Sequence, residues 1–133
     1  MNRRTLLGAA LLATATGAAT MGTARAATQA PYDAKSFAAA QNANKPILVA
    51  VHASWCPTCA KQRPIIEQLS KASENKDLLI FIVDFDTQKD IVKGFGVQTQ
   101  STLIAFHGKV ERDRSTGATD TSAIKALVAK TRA

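Results

Sequence analysis

The pentapeptide Trp-Cys-Pro-Thr-Cys at residues 55–59 most constrains how this chain can fold, because it holds both cysteines among the 133 residues. It follows an apolar run, Ile47 to Val51, that is typical of a central strand covered on both faces. It precedes Ala60 to Ser73, where apolar residues recur at helical spacing. The cysteine pair is therefore predicted between a buried strand and a helix N-terminus, an arrangement that favours a thiolate and is common in redox sites.

The segments around this stretch alternate between helical and strand patterns. Pro64 lies inside the helix that follows the cysteines and predicts a kink there. The order α-β-α-β-α-β-β-α indicates one α/β domain. The other predicted elements are helices at 32–42, at 87–94 and after an N-cap within 119–122, and strands at 78–85, 102–106 and 110–114, of which the last two form a hairpin.

Residues 1–26 are interpreted as an export signal rather than as part of the fold. An arginine pair at 3–4 precedes an apolar run of small residues, and an Ala-Arg-Ala motif predicts cleavage between Ala26 and Ala27. The arginine pair resembles a twin-arginine signal, although general secretory signals also contain such pairs. Because threonines and glycines interrupt the apolar run, it would make a poor permanent anchor, which is the alternative interpretation. We expect a soluble mature domain, residues 27–133, in the periplasm.

The charge of the chain is modest and dispersed. The net charge is +7, but three of the 17 Lys and Arg residues belong to the leader, and all ten acidic residues follow it. The basic residues of the mature part are scattered rather than forming a run with interleaved aromatic residues. Nucleic acid is therefore not expected as a partner.

Export bears on the chemistry of Cys56 and Cys59. In an oxidising compartment a lone cysteine pair tends to form a disulfide unless something reduces it. A bridge across two intervening residues closes a very small loop and is a weak structural staple. A redox or metal-binding role is therefore favoured over an inert structural bridge.

The pentapeptide and the order of elements together resemble the thioredoxin family from about Phe37 to Val128. The resemblance implies a thioredoxin-like α/β fold with a central mixed four-stranded sheet flanked by helices. It implies a thiol–disulfide oxidoreductase that acts on protein thiols and disulfides, with a membrane electron carrier as a candidate partner. The features that carry it are Trp55 before the first cysteine, Pro64 five residues after the second, Gly-Val-Gln-Thr-Gln-Ser-Thr-Leu at 96–103, and a hairpin with Phe106 and Gly108.

The two cysteines are expected to have different roles in such a protein. Cys56 is the expected nucleophile, because unpaired backbone N–H groups and the helix dipole favour its thiolate. Cys59, one turn further along and more buried, is the expected resolving thiol. The redox-active Cys56–Cys59 disulfide is the implied redox group, with no separate cofactor. The residues expected to shape the site around them are Trp55, Pro57, Thr58, Gln100 and Ser101.

Two positions depart from the family pattern. Ser101 stands where thioredoxins have a cis-proline. A cis bond before serine costs about 2.5–4 kcal/mol, so a trans bond is expected, together with more open cysteines. Ala50 stands where many thioredoxins have a buried aspartate that assists proton transfer, and His52 lies two residues further on.

Three functions are left open by the sequence, and the oligomeric state does not follow from it. The first is an exported oxidoreductase, favoured as a reductant because Pro57-Thr58 contains no thiolate-stabilising histidine, with a potential between roughly −270 and −120 mV. The second is a copper or zinc module with Cys56, Cys59 and His52 as ligands. The third is a peptide-binding module with a degenerate redox site.

Overall fold

Five strands form one mixed sheet in a computed structural model, which describes residues 26–133 of the chain. Their order across the sheet is β1-β3-β2-β4-β5. β3 runs parallel to β1 and β2, whereas β4 runs antiparallel to β2 and β5. The predicted α/β class, the mixed sheet and the final hairpin are therefore confirmed. The strands are Thr28–Pro31 (β1), Pro46–His52 (β2), Leu79–Asp84 (β3), Thr102–His107 (β4) and Val110–Thr116 (β5).

The prediction of four strands is wrong by one, because the segment before the first helix forms β1 at the edge of the sheet. Thr28 N–H donates to the Leu78 carbonyl at 3.0 Å, and Tyr32 N–H donates to the Ile82 carbonyl at 2.7 Å. β1 is largely exposed and has no apolar run, so its pairing comes from the backbone. A strand of this kind leaves no periodic pattern of apolar residues in the sequence.

Four helices cover the sheet, and aspartate side chains cap the first and the last of them. Asp33 accepts the Ser36 N–H at 2.8 Å before the first helix, and Asp120 accepts the Ala123 N–H at 3.0 Å before the last. Asp120 falls within the predicted N-cap segment. The helices are Ala34–Asn42 (α1), Pro57–Ser70 (α2), Lys89–Gly94 (α3) and Thr121–Ala129 (α4), with 3-10 turns at Ser73–Asn75 and Lys130–Arg132.

The start of α2 differs most from its prediction. The helix begins at Pro57 rather than at Ala60, so both cysteines belong to its first turn and cap. It ends at Ser70, and Pro64 lies within it as expected. The cysteine pair is therefore held by the helix N-terminus itself rather than by a loop before it.

Each face of the sheet carries its own apolar core, and β2 lies in the middle of the sheet, buried by both. On the face away from α2, ring pairs such as Phe37 and Phe106, 5.6 Å between centroids, fill the space under α1 and α3. On the other face, Ile66 of α2 and Ile124 of α4 pack over Leu48 and its neighbours. The C-terminal end of β2 is thus rigidly placed, and the cysteines follow it directly.

The predicted export signal lies outside the described residues apart from Ala26. Between residues 26 and 133, no helix combines the length and apolar character needed to cross a membrane.

Candidate active site

Cys56 is the N-cap of α2, and its sulfur takes the place that a serine or aspartate oxygen usually occupies. Its backbone is extended, with φ −82° and ψ 114°, and its Sγ accepts the Cys59 N–H at 3.1 Å. Pro57 fills the first helical position, where the missing N–H costs nothing. Negative charge on Cys56 is therefore stabilised by an otherwise unpaired backbone donor and by the helix dipole.

Both thiols are free in this structure, and both are buried, with 3% of each cysteine exposed. The two exposed fractions are equal and so do not test the expectation that Cys59 is the more buried of the two. Serine at 101 does not leave the cysteines open as expected, since Ser101 itself is only 6% exposed and both cysteines are buried.

The surroundings move the pKa values of the two thiols in opposite directions. Burial opposes ionisation of Cys56, but hydrogen bonds from the Cys59 thiol, from the backbone N–H groups of Cys59 and Thr58, and from the Gln100 side chain together lower its pKa. Burial raises the pKa of Cys59, and the hydrogen bond to Cys56 and the charge of that sulfur raise it further. Cys56 is thus the thiol that ionises first, and Cys59 keeps its proton.

Alkylation of the reduced protein is expected to titrate the two cysteines separately. Cys56 should react with iodoacetamide with a midpoint below the usual thiol pKa of about 8.5, and Cys59 only above it. In Cys59→Ala the Cys56 midpoint should rise, because the hydrogen bond from the Cys59 thiol is lost. Mass spectrometry of the alkylated peptides as a function of pH measures both midpoints. A shared midpoint at the usual value would contradict the prediction.

Ser101 has a trans peptide bond, as predicted, but it also has a left-handed backbone that the sequence did not indicate. Its φ is 62°, and no peptide bond among residues 26–133 is cis. Its N–H donates to the Val51 carbonyl at 2.9 Å, and its carbonyl accepts the Gly117 N–H at 3.1 Å. These bonds tie the segment before β4 to the end of β2, directly beside the cysteines.

Gln62 is a site residue that the sequence analysis missed. It is buried, and its Nε2 donates to the Ser101 carbonyl at 3.1 Å and to the Ala118 carbonyl at 2.8 Å. Its position was a usable signal, because Gln62 lies four residues before Ile66 on the apolar stripe of α2. A polar residue on such a stripe indicates a buried hydrogen-bonding role.

Trp55 lies beside Cys56 on the surface, where 58% of it is exposed. Its Nε1 donates to Asp86 Oδ2 at 2.8 Å, which holds the indole against the loop that follows β3. Asp86 was not predicted in this role. An oriented, exposed aromatic ring next to the sulfur offers an apolar contact for an approaching chain.

His52 ends β2, and its Nε2 lies 2.8 Å from Arg63 Nη2 of α2. The arginine can only donate, so in this arrangement it occupies one of the two ring nitrogens through which a histidine can bind a metal ion. Within residues 26–133, no three His, Cys, Asp or Glu side chains are grouped so that they could hold a metal ion. The structure therefore does not assemble the three-ligand site predicted from Cys56, Cys59 and His52.

A sequence model of the thioredoxin family matches residues 28–130, nearly the whole of the described chain. The chain belongs to the thioredoxin family. The thioredoxin-like fold and the position of the cysteine pair at the start of α2 agree with that assignment.

Individual relatives give the same result. The chain is 33% identical over 92 residues to a bifunctional thioredoxin reductase/thioredoxin of Mycobacterium leprae, covering 69% of this chain and 20% of that protein. It is 35% identical over 80 residues to an H-type thioredoxin of Brassica campestris, covering 60% of this chain and 63% of that one. The match thus spans only part of these relatives' own length.

Among solved structures, Trxlp from Edwardsiella tarda is 39% identical, with a TM-score of 0.74, covering 76% of this chain and 98% of that one. Thioredoxin of Malassezia sympodialis superposes with a TM-score of 0.72 at 22% identity, covering 84% of this chain and 96% of that one, and shows the fold alone.

Within the thioredoxin family, this chain keeps the cysteine pair but changes two of its neighbours. Ser101, in place of the family's cis-proline, uses its N–H to bind the end of β2, which a proline cannot do. Ala50, in place of the buried aspartate, adds no charge beside Cys59. The two departures thus lie on segments that line or contact the surroundings of Cys59.

Proposed function

We propose that this chain is a periplasmic thiol–disulfide oxidoreductase that reduces disulfides in partner proteins through Cys56 and Cys59. The observation that carries the proposal is the capping bond from Cys59 N–H to Cys56 Sγ, which prepares one thiol as a nucleophile and leaves the other protonated.

The chemistry follows from the order in which the thiols ionise. The Cys56 thiolate attacks one sulfur of a substrate disulfide and releases the other as a thiolate, forming a mixed disulfide. Cys59 then loses its proton and attacks Cys56 Sγ, which forms the Cys56–Cys59 disulfide and releases the second substrate sulfur. Two electrons have passed from the pair to the substrate. Trp55 and Gln100 flank the attacked position and are the residues that a substrate chain would meet.

The proposed direction of electron transfer rests on the sequence between the two cysteines, and the proposed periplasmic location rests on the N-terminal sequence. Pro57 and Thr58 contribute no cationic side chain to stabilise the thiolate of the reduced form, which favours a reducing potential over a strongly oxidising one. The predicted export signal leads to an oxidising compartment. The pair must therefore be reduced again after each turnover, and a membrane electron carrier is the proposed source of electrons.

The equilibrium potential of the Cys56–Cys59 couple in defined thiol buffers tests this proposal. We expect a reversible two-electron couple nearer to −270 mV than to −120 mV, the values typical of reducing and oxidising members of this fold. A value near −120 mV would overturn the reducing direction. Failure to form any reversible couple would overturn the oxidoreductase function itself.

A further inference from the structure

A half-open cavity of about 230 Å³ lies between the sheet and α2, and the resolving thiol forms part of its wall. Ala50 and Ile82 contribute to its floor from β2 and β3, and Cys59 and Arg63 contribute to the opposite side from α2. The small side chain of Ala50 helps to leave this space unfilled. The cavity is wide enough for several water molecules.

Among residues 26–133, only one group in the wall can exchange a proton with Cys59 near neutral pH. The ionisable lining residues of the cavity are Cys59, His52 and Arg63, and the others are apolar or amide side chains. The guanidinium of Arg63 has only hydrogen-bond donors and so cannot accept a proton. His52 is therefore the single proton acceptor that shares the cavity with the resolving thiol.

The contact between Arg63 and His52 defines the protonation state of the imidazole. Because the guanidinium can only donate, Nε2 of His52 must be unprotonated and the ring neutral, with its proton on Nδ1. Burial and the charge of Arg63 lower the pKa of His52, while Asp84, its register partner on β3, raises it. Gln29 of β1, which lines the same cavity, is uncharged. His52 is thus held as a free base at neutral pH.

We propose that His52 accepts the proton of Cys59, relayed by water in this cavity, in the step that releases the substrate. The inference rests on the proposed oxidoreductase function. In that step the S–H bond of Cys59 breaks, its sulfur bonds to Cys56 Sγ, and the bond from Cys56 to the substrate sulfur breaks. The proton reaches Nε2 of His52, and the departing substrate thiolate later takes a proton from solvent as His52 returns its own.

Arg63 has a positioning role in this scheme. Its side chain is exposed, so the guanidinium can leave Nε2 for solvent when the imidazole becomes positively charged. Repulsion between the two cations favours that movement. The arginine therefore keeps His52 neutral before the step and does not hold the proton afterwards.

Rapid mixing of the reduced protein with an excess of a peptide disulfide carrying a fluorophore and a quencher tests the proposal. A concentration-dependent phase reports attack by Cys56, and a concentration-independent phase reports displacement by Cys59. His52→Gln retains a hydrogen-bond acceptor for Arg63 but cannot titrate. At pH 7 we expect it to slow the second phase by about 10²-fold, the lower range of general-base contributions, and to leave the first phase unchanged.

The pH profile separates proton transfer from a structural defect. The rate of the second phase in the wild-type protein should level off above the pKa of His52, whereas in His52→Gln it should keep rising with the thiolate fraction of Cys59. The two should converge at high pH, where Cys59 ionises without help. A structural defect would instead slow the second phase at every pH, which would overturn the proposal.

Two further variants sharpen the test. Arg63→Gln should move the rise of the second-phase rate that precedes the plateau to higher pH, because the charge of Arg63 lowers the pKa of His52. Lys61→Gln removes the same charge from an exposed position of the same helix and should leave the profile unchanged. If His52→Gln had the pH profile of the wild-type protein, the proposed role of His52 would be overturned and the oxidoreductase function would stand. Absence of both phases in the wild-type protein would overturn the oxidoreductase function instead.

Discussion

Cys56→Ser is expected to abolish reduction of protein disulfides, and Cys59→Ala is expected to stop the reaction at the mixed disulfide. Cys56 carries the thiol with the lowered pKa at the start of α2, so no other group of the site can make the first attack. Without Cys59, the covalent intermediate has no internal thiol to resolve it. Turnover should fall to background in both variants, but for different reasons.

The serine variant is a fair test because the fold should tolerate it. Serine is among the preferred N-cap residues, and its hydroxyl oxygen can accept the Cys59 N–H in place of the sulfur. The midpoint of chemical denaturation should therefore stay close to that of the parent protein. Loss of activity with an unchanged midpoint separates chemistry from folding.

The measurements are turnover of a protein disulfide and intact mass after non-reducing quenching. Cys59→Ala should accumulate a species heavier by one substrate chain, which a thiol reductant removes. Cys56→Ser should accumulate no such species. Retention of turnover by Cys56→Ser, or release of substrate by Cys59→Ala at the parent rate, would contradict the assigned roles.

The predictions from sequence succeeded where a side-chain pattern reports the environment directly. The apolar run at 47–51 predicted the central strand, because burial on both faces leaves no room for polar alternation. The last helix was predicted in the same way, because Ile124, Leu127 and Val128 recur at helical spacing, and all three are buried. The edge strand at 28–31 was missed because only its backbone is used.

The site was harder to predict because its atypical features arise from contacts between distant segments. The sequence placed His52 near the cysteines, but its bond to Arg63 depends on how α2 lies over the end of β2. The bond from Trp55 to Asp86 likewise joins residues 31 positions apart. Neither contact has a local pattern, so Arg63 and Asp86 were not identified as site residues, whereas Gln100, which helps to lower the Cys56 pKa, was.

Ser101→Pro is expected to destabilise this protein by about 3 kcal/mol or more, even though related proteins have proline at that position. Ser101 has φ 62°, whereas proline fixes φ near −65°. Its N–H also donates to the Val51 carbonyl at 2.9 Å, and proline has no N–H. The substitution alone therefore cannot restore the typical site of the family, because the surrounding backbone is built for a different geometry.

Two matched variants isolate the backbone effect in the free energy of unfolding, measured by chemical denaturation. Ser101→Gly removes the left-handed strain, worth about 1–2 kcal/mol. It also raises the conformational entropy of the unfolded chain, which costs nearly as much free energy, so the net change in the free energy of unfolding should stay within about 1 kcal/mol. Ser101→Ala keeps the same φ requirement and loses only the hydroxyl. If Ser101→Pro matched these two in stability, the backbone at 101 would have to adopt another conformation in solution. Stability that instead decreases from Ser101→Gly through Ser101→Ala to Ser101→Pro would show that the bond from residue 101 to the Val51 carbonyl depends on the left-handed backbone of that one residue.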